Sequence, residues 1–199
     1  MKLVILDRDG TINHDSDDYV KSPEEWMPLP GALEAIAKLN HAGWHVVIAS
    51  NQSGLGRGLF DVAALNAMHA KMHKMLAAVG GRIDAIFYCP HTPEEACHCR
   101  KPLPGLFEQI GDRYGVELQG VPVAGDTQRD LQAGVAAGCE PHLVLTGKAE
   151  QFRAPVAAGQ SLPGDFPPRT TVHEDLASFA AFLIGREARR RASGPTPAA

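Results

Sequence analysis

Residues 3–11 read Leu-Val-Ile-Leu-Asp-Arg-Asp-Gly-Thr, an apolar run that ends in two aspartates and a glycine. Four consecutive apolar residues, Leu3 to Leu6, predict a strand buried on both faces, which is typical of parallel sheets. The charged residues follow too early for the hydrophobic region of a secretion signal. If the chain turns at Gly10, both carboxylates can face one pocket. This segment therefore predicts a central strand with acidic groups at its carboxyl end.

Outward from this segment, short apolar runs alternate with helical patterns. Further strands are predicted at residues 46–49, 83–88, 121–124 and 142–145, and helices at residues 33–40, 61–79, 104–114, 131–137 and 173–184. Continuous apolar strands that alternate with amphipathic helices indicate a parallel sheet covered by helices on both faces. We therefore predict an α/β fold built on a doubly wound parallel sheet.

The overall composition predicts one soluble domain. The chain has 199 residues, of which 44% are hydrophobic and 21% charged, and no apolar stretch approaches a membrane-spanning length. Its net charge of −4 argues against broad nucleic-acid or anionic-membrane binding. We expect a cytoplasmic monomer with a single domain over residues 1–185 and no nucleic-acid or membrane partner. For the arginine-rich residues 186–199 we expect a solvated, mobile tail, with a nucleic-acid or membrane arm as the alternative.

Polar residues stand at the carboxyl ends of three predicted strands. The first strand ends at Asp7 and Asp9, the second at Ser50 and Asn51, and the fourth at Asp126. In open parallel sheets, ligands bind beyond the carboxyl ends of the strands. We therefore expect these three groups of residues to meet at one edge of the sheet.

The paired carboxylates Asp7 and Asp9 suit phosphoryl transfer. A carboxylate nucleophile can accept a phosphoryl group, which divides hydrolysis into two easier steps. A second carboxyl group can protonate the leaving oxygen and then deprotonate the attacking water. A calcium-binding loop is the alternative, but an EF-hand needs glycine at its sixth position, and Gly10 is fourth.

The glycine-rich loop at residues 50–58 offers a hydroxyl group and backbone amides at a strand end, which suits a phosphate oxygen. Its glycines do not match a dinucleotide-binding fingerprint, because Leu59 stands where the third glycine is required. The loop also lacks the Gly-Lys-Ser/Thr of a P-loop. A flexible loop without a ligand is the alternative interpretation.

Three of the four cysteines, Cys89, Cys97 and Cys99, lie in one short segment. With His91 they form the four-ligand set of a structural zinc site. His98 competes for the fourth place, and His91 is preferred because it leaves two Cys-x-ligand pairs across the loop. Such clustering favours a reducing compartment over a disulfide framework. Free thiols without a metal are one alternative, and a thiophilic metal other than zinc is another.

Two further clusters complete the predicted site. A metal-ordered loop would hold Arg100 and Lys101 where they can bind phosphate, whereas a solvated surface pair is the alternative. Asp126 ends a strand and fits as a magnesium ligand. Asp130, one helical turn later, and the adjacent Thr127 would lie behind it, with Asp130 orienting Lys101. Helix capping is the alternative for Asp126 and Asp130.

The order of these motifs resembles the haloacid dehalogenase superfamily of phosphatases. Asp-x-Asp-Gly-Thr begins at residue 7, Ser-Asn at 50, Lys-Pro at 101 and Gly-Asp-x-x-x-Asp at 125. The resemblance implies a Rossmann-like haloacid dehalogenase fold and a phospho-aspartate intermediate. The implied roles are Asp7 as nucleophile and magnesium ligand, Asp9 as acid/base and magnesium ligand through its carbonyl, Ser50 and Lys101 as phosphate stabilisers, and Asp126 as the third magnesium ligand.

The Cys-Pro-His…Cys-His-Cys segment is similar to the zinc-loop group of histidinol-phosphate and heptose-bisphosphate phosphatases. Asn-Gln-Ser-Gly at residue 51 favours the heptose branch, which removes the C7 phosphate of D-glycero-D-manno-heptose 1,7-bisphosphate during lipopolysaccharide or S-layer precursor synthesis. The short interval between His91 and Cys97 is typical of the histidinol-phosphate branch, which is the alternative. The implied contacts with the phosphorylated sugar come from Asp15, Ser16, Asp17, Asp18, Asn51, Gln52, Ser53, Arg57 and Arg100.

Intervals between the motifs hold about one helix each, so we predict a capless enzyme with an open pocket. Two other classes of protein share parts of the pattern. A signalling receiver also combines a phosphorylated aspartate with a hydroxyl group and a lysine, but Asp9 would hasten loss of the phosphate. A zinc-organised interaction module would explain the cysteines but not the other motifs.

Overall fold

The computed structural model describes residues 1–192. Its sheet has six parallel strands: β1 (Lys2–Leu6), β2 (Trp44–Asn51), β3 (Ala85–Cys89), β4 (Pro122–Gly125), β5 (Glu140–Val144) and β6 (Thr171–His173). The strand order is β3-β2-β1-β4-β5-β6, and each neighbouring pair is parallel. The chain therefore winds outward from β1 in both directions. The predicted doubly wound parallel sheet is confirmed.

Seven helices connect these strands within the described residues: α1 (Ala32–His41), α2 (Ser53–Gly56), α3 (Val62–Ala78), α4 (Gly105–Tyr114), α5 (Gln128–Ala136), α6 (Arg153–Ala157) and α7 (Leu176–Ala192). Short 3₁₀-helical segments lie at Pro93–Glu95 and Gly147–Phe152. Local sequence signals determine where several of the helices begin and end. The Asp61 carboxylate accepts a hydrogen bond from the Ala64 amide at the start of α3, and Gly115 ends α4 with a φ of 60°.

The sheet separates two apolar layers. On one face α1, α3 and α7 pack on the strands, with Met68 and Phe179 fully buried. On the other face α4 and α5 cover the strands around Phe107. Within β1, Val4 belongs to the first layer and Ile5 to the second. Burial on both faces explains why the strand sequences are continuously apolar.

The C-terminal region differs from the prediction in two ways. The short strand β6 was not predicted, and the last helix begins at Leu176 rather than residue 173. Asp175 stops the strand and caps the helix, accepting a hydrogen bond from the Ser178 amide at 2.8 Å. Helix α7 also continues through residues 186–192, where a mobile tail was predicted. The rest of that predicted tail, residues 193–199, lies outside the described residues.

The carboxyl edge of the sheet is open. No separate domain is inserted between the strands and helices of residues 1–192, in agreement with the predicted capless fold. The longest link near this edge, residues 7–31, folds back on itself through hydrogen bonds from the His14 amide to the Met27 carbonyl and from the Leu29 amide to the Ile12 carbonyl, each 2.9 Å. Within the described part of the chain, no helix could cross a membrane.

Candidate active site

The predicted polar groups meet in one cavity at the carboxyl edge of the sheet. This cavity has a volume of about 270 Å³ and is lined by residues from the ends of β1, β2 and β4 and from the loop before α4. The predicted residues that line it are Asp7, Asp9, Asp15, Ser16, Asp17, Asn51, Gln52, Ser53, Arg100, Lys101, Asp126, Thr127 and Asp130. The convergence predicted from the strand ends is confirmed.

Lys101 lies at the centre of a buried charge network. Its Nζ donates to Asp7 Oδ1 at 2.7 Å and to the Ala49 carbonyl at 2.8 Å, and it lies 2.6 Å from Asp130 Oδ1. These three acceptors account for all three N–H groups of an ammonium. Burial disfavours the charge, but Asp130 and Asp7 outweigh it and raise the pKa of Lys101. The lysine is therefore a fixed positive charge beside Asp7.

Asn51 holds the segment that carries this lysine. The Lys101 amide donates to Asn51 Oδ1 at 3.0 Å, and Asn51 Nδ2 donates to the Lys101 carbonyl at 3.1 Å. The peptide bond between Lys101 and Pro102 is cis. Because Asn51 ends β2, the pair of hydrogen bonds ties the loop before α4 to the sheet.

Asp7, Asp126 and Asp130 form a cluster in which one carboxylate oxygen from each residue lies within 4.8 Å of the other two. The Asp130 oxygens are engaged by Lys101 and by the Thr127 hydroxyl, which donates to Oδ2 at 2.7 Å. Asp126 Oδ2 accepts from the Lys148 amide, but its buried Oδ1 has no partner among the described residues. Asp7 and Asp126 therefore have oxygens available for a cation. Carboxylates of this kind are the donors that Mg²⁺ prefers.

Two glycines make room for Asp126. A Cβ on Gly10 would lie 2.1 Å from Asp126 Oδ2, and a Cβ on Gly147 would lie 2.2 Å from it. Their φ values of 85° and 53° also disfavour other residues. The chain thus approaches this carboxylate closely on two sides.

The crowding of acidic groups affects their charges. Burial, followed by the charge on Asp130, raises the pKa of Asp7 to about 7. Burial and the charges on Asp130 and Asp7 likewise raise the pKa of Asp126 well above its ordinary range. A divalent cation between these groups would favour their charged forms. The donor set therefore fits a magnesium ion.

Asp9 has different surroundings. Arg8, which is buried, donates to both Asp9 oxygens through Nη2 at 2.9 Å, and Asn13 and Gln52 add hydrogen bonds at 2.9 and 2.8 Å. Burial alone would raise the pKa of Asp9, but the Arg8 charge and these hydrogen bonds lower it. In this arrangement Asp9 is a carboxylate, which is the form of a general base.

Gln52 connects Asp9 with Ser50. Its Nε2 donates at 2.8 Å both to Asp9 Oδ2 and to Ser50 Oγ. Ser50 is buried behind Gln52 and does not line the cavity itself. Since its oxygen accepts this hydrogen bond, its own proton remains available for another acceptor.

Asp18 and Arg57, both predicted to contact substrate, lie outside the cavity. Asp18 is exposed and pairs with Lys21 at 3.0 Å. Arg57 is exposed, 3.9 Å from Glu94. For Arg57 the reason is local structure: α2 begins at Ser53, and Arg57 stands at the C-terminal end of this helix, beyond the residues that line the cavity.

Several residues in or beside the cavity were not predicted from the sequence. Arg129 and Lys148 line the cavity, and Arg8 and Asn13 hold Asp9. The rule that sites lie beyond strand ends could have identified Lys148, because residues 145–148 follow β5 directly. The sequence carries no comparable signal for Asn13, whose role depends on the fold of the loop.

The cysteine-rich loop forms a compact four-donor cluster. Cys89 Sγ lies 3.5 Å from both Cys97 Sγ and His91 Nδ1, while Cys99 Sγ lies 3.3 Å from His91 Nδ1 and 3.6 Å from Cys97 Sγ. A tetrahedral zinc ion with zinc–sulfur bonds of about 2.3 Å would place its sulfurs about 3.8 Å apart. His98 lies outside the cluster, 2.7 Å from Glu108. The geometry thus selects His91 as the fourth donor.

A protein-family model and several known proteins match this chain. A family model described as HAD-hydrolase-like matches residues 98–177. The D-glycero-β-D-manno-heptose-1,7-bisphosphate 7-phosphatase of Bordetella bronchiseptica is 56% identical over 184 residues, covering 92% of this chain and 98% of that protein. The Pseudomonas aeruginosa protein of the same name is 48% identical over 182 residues, covering 92% and 97%.

Solved structures are similar as well. The crystal structure of D,D-heptose 1,7-bisphosphate phosphatase from B. bronchiseptica, complexed with magnesium and phosphate, matches with a TM-score of 0.87 and 56% identity. The match covers 94% of this chain and 99% of that one. The phosphatase of the same name from Burkholderia thailandensis matches with a TM-score of 0.70 and 50% identity, covering 92% and 99%.

Proposed function

This chain belongs to the family of D-glycero-β-D-manno-heptose-1,7-bisphosphate 7-phosphatases, which are HAD-like hydrolases, and we propose that it removes the C7 phosphate of that sugar bisphosphate. The observation that carries the chemistry is the buried Asp7 carboxylate, 2.7 Å from Lys101 and grouped with Asp126. The substrate follows from relatives of 45–56% identity over nearly their whole length. The reaction would supply a heptose precursor for bacterial lipopolysaccharide.

In the first step, an Asp7 oxygen attacks phosphorus in line with the bond to the C7 oxygen. A phospho-aspartate forms, the P–O7 bond breaks, and Asp9 in its protonated form gives its proton to the C7 oxygen. Because Arg8 and Gln52 hold Asp9 as a carboxylate, the proton transfer requires that Asp9 loosen these contacts when substrate binds.

In the second step, water attacks the phosphorus of the phospho-aspartate. Asp9, a carboxylate again, accepts a proton from this water, and Asp7 leaves as a carboxylate while inorganic phosphate is released. The low pKa of Asp9 in the network of Arg8, Asn13 and Gln52 suits this base role.

Positive charge must offset the charge on the phosphoryl oxygens. Mg²⁺ bound by Asp7, Asp126 and the Asp9 carbonyl would supply part of it as a Lewis acid. Lys101 supplies a fixed charge, and the Ser50 hydroxyl can donate its remaining hydrogen to a phosphoryl oxygen. Asp130 and Thr127 hold Lys101 and the start of α5 in place.

The sugar would occupy the open side of the cavity. The proposed contacts that line this space are Asp15, Ser16 and Asp17 from the loop after β1, Ser53 at the start of α2, and Arg100 from the loop before α4. The carboxylates can bind sugar hydroxyl groups, and the guanidinium can bind a phosphate.

We propose zinc as the metal of the cysteine-rich loop, with Cys89, His91, Cys97 and Cys99 as ligands. The loop leads directly into Arg100 and Lys101, and Arg100 Nη1 contacts the His91 carbonyl at 3.4 Å. Zinc would therefore order the loop that presents both cations. Because zinc ligation needs reduced thiols, we also propose a cytoplasmic location. For the oligomeric state we propose a monomer.

The test is to measure kcat/KM with Mg²⁺ for both C1 anomers of D-glycero-D-manno-heptose 1,7-bisphosphate and for L-histidinol phosphate. We expect a preference of about a hundredfold or more for the β anomer over histidinol phosphate, equivalent to about 2.7 kcal/mol. Preference for histidinol phosphate would refute the proposed substrate. A stable phosphoprotein without turnover would instead support a signalling receiver.

A further inference from the structure

Residues 146–148 form a short loop after β5, the β5 loop, that bonds to two separate parts of the proposed magnesium site. Thr146 Oγ1 donates to the Gly10 carbonyl at 2.7 Å, in the turn after β1. The Lys148 amide donates to Asp126 Oδ2, also at 2.7 Å, just after β4. Threonine, glycine and lysine bring no carboxylate to the cluster, so the β5 loop can act on a bound cation through the residues that it holds.

The hydrogen bond from Thr146 restrains the backbone beside a proposed metal ligand. The Asp9 carbonyl, which would bind magnesium, lies in the same planar peptide unit as the Gly10 amide, and that amide donates to the Asn13 carbonyl at 2.7 Å. The peptide unit on the other side of Gly10 is held by Thr146 Oγ1. Gly10 has a φ of 85°, and glycine has wide conformational freedom, so these two bonds together define the direction of the Asp9 carbonyl.

The same loop determines which oxygen of Asp126 is available. The Lys148 amide occupies Oδ2, whereas the buried Oδ1 has no partner among residues 1–192. Gly147 lies between the two donors, and a Cβ there would stand 2.2 Å from Asp126 Oδ2 and 2.5 Å from Gly10 Cα. Because the packing is this close, the Thr146 hydroxyl and the Lys148 amide cannot move independently. The β5 loop therefore sets the spacing between the turn after β1 and Asp126.

We propose that Thr146 is a positioning residue of the magnesium site: its hydroxyl group holds the turn at residues 9–10 and, through the β5 loop, Asp126 in the arrangement that one cation needs. This inference rests on the proposed function. Magnesium demands nearly ideal octahedral geometry, so small displacements of its ligands weaken binding. Groups that orient metal ligands without touching the metal typically change affinity by about 10–100-fold when they are removed.

The experiment measures cation binding directly, without substrate. Mn²⁺ prefers the same oxygen ligands as Mg²⁺, and free Mn²⁺ can be counted by electron paramagnetic resonance, with Mg²⁺ added as the competitor. The variants are Thr146→Val, which keeps the shape of threonine but cannot donate, and Thr146→Ser, which keeps the hydroxyl group. The matched control is Thr170→Val. Thr170 Oγ1 also donates to a carbonyl, that of Pro167, at 2.7 Å, but it stands before β6, at the opposite edge of the sheet.

We expect Thr146→Val to raise the Kd for Mn²⁺ by about tenfold or more, because the ligands lose their alignment. Thr146→Ser should retain most of the affinity, and Thr170→Val all of it. The Mg²⁺ concentration that half-saturates phosphate release should rise in the same proportion as the Kd. Melting of the metal-free proteins shows whether both valine variants remain folded and lose similar stability.

An unchanged Kd in Thr146→Val, an equal rise in Thr170→Val, or a loss in Thr146→Ser as large as in the valine variant would overturn the role of Thr146. A wild-type protein without a Mn²⁺ site that Mg²⁺ can empty would overturn it as well. A wild-type protein that binds Mn²⁺ but releases no phosphate from the heptose bisphosphate would instead refute the proposed function, so the two failures are distinguishable.

Discussion

Asp7 and Asp9 are two residues apart in the chain but have opposite electrostatic surroundings. Asp7 is buried beside Asp130, and its pKa is raised to about 7, whereas Arg8, Asn13 and Gln52 lower the pKa of Asp9 despite burial. A nucleophile must be charged when it attacks, so Asp7 depends on a nearby cation. Asp9 needs no cation to remain a carboxylate. The two groups thereby acquire different chemical roles from their neighbours.

The first prediction concerns Asp7→Asn. Asparagine keeps the shape and the oxygen that accepts from Lys101, but it removes the nucleophile, so we expect kcat to fall by at least about a thousandfold. Phosphate release and thermal melting should be measured together. Asp112→Asn, an exposed change on α4, is the matched control and should leave both unaltered. Activity above about a tenth of wild type with native-like melting would contradict the nucleophile assignment.

Single residues differ in how far the sequence could predict them. Asp7, Lys101 and Asp126 follow from motifs at strand ends, because parallel strands end at a common edge. Asn13 could not be predicted, since it reaches Asp9 only through the conformation of the loop. Arg57 is the reverse case: its place beside the motif predicts a substrate contact, but at the end of a short helix it lies outside the cavity, 3.9 Å from Glu94.

At the scale of elements, the cysteine-rich loop brings its two pairs of metal donors together although the segment between them is short. A 3₁₀ turn at Pro93–Glu95 bridges the ligand pairs, and its capping box joins the Thr92 amide to the Glu95 carboxylate at 2.6 Å. The four donors therefore come together although only five residues separate His91 from Cys97. The loop is built to present the two residues that follow it, Arg100 and Lys101.

The second prediction is that Cys97→Ser lowers bound zinc from about one ion per chain to well below it, because one thiolate of the tetrahedral set is lost. Melting temperature and kcat/KM should fall together, since the loop positions Lys101. Zinc content is measured by metal analysis of the purified protein. Cys139→Ala is the control, because Cys139 lies outside the cluster. Full zinc content in Cys97→Ser would exclude this ligand set.

Elements at the C-terminal end were the least predictable. Strand β6 has only three residues, Thr-Val-His, which is too short for a clear pattern. It exists because it pairs with β5, and that pairing is a tertiary contact. Helix α7 extends past residue 184 because Arg186 reaches back to Glu140 on β5, with oxygens at 2.6 and 2.7 Å. Long helices near the centre were predicted well because their apolar faces repeat regularly.

At the scale of the whole molecule, stability should depend jointly on pH and magnesium. The raised pKa of Asp7 means that the metal-free folded state binds more protons than the unfolded state between pH 3.8 and about 7. Its contribution to stability therefore falls as pH rises through that window. Asp126, raised in the same direction, adds to this loss.

The third prediction follows: saturating Mg²⁺ should raise the melting temperature more at about pH 8 than at about pH 5, because the cation binds carboxylates in their charged form. Differential scanning calorimetry with and without Mg²⁺ measures the shift at each pH. Sodium chloride at equal ionic strength controls for screening. Equal shifts at the two pH values would contradict a magnesium site made by Asp7 and Asp126.

The overall topology could be predicted because strand and helix patterns alternate along the chain, and right-handed crossovers leave few arrangements for a parallel sheet. The catalytic cluster could be predicted for the same reason. The hydrogen bonds and ion pairs inside the cluster could not be predicted. Whether Lys101 has a free N–H, or which oxygen of Asp126 is unpaired, depends on distances of a few tenths of an ångström that no sequence pattern encodes.

The three contacts of Lys101 have a consequence for product release. Each bond that its ammonium makes to a phosphate must replace one to Asp7, Asp130 or the Ala49 carbonyl. When inorganic phosphate departs, the displaced acceptor is still at hand and can return at once. The acceptors of the protein therefore compete with phosphate for this ammonium, and the competition weakens the binding of the product by Lys101.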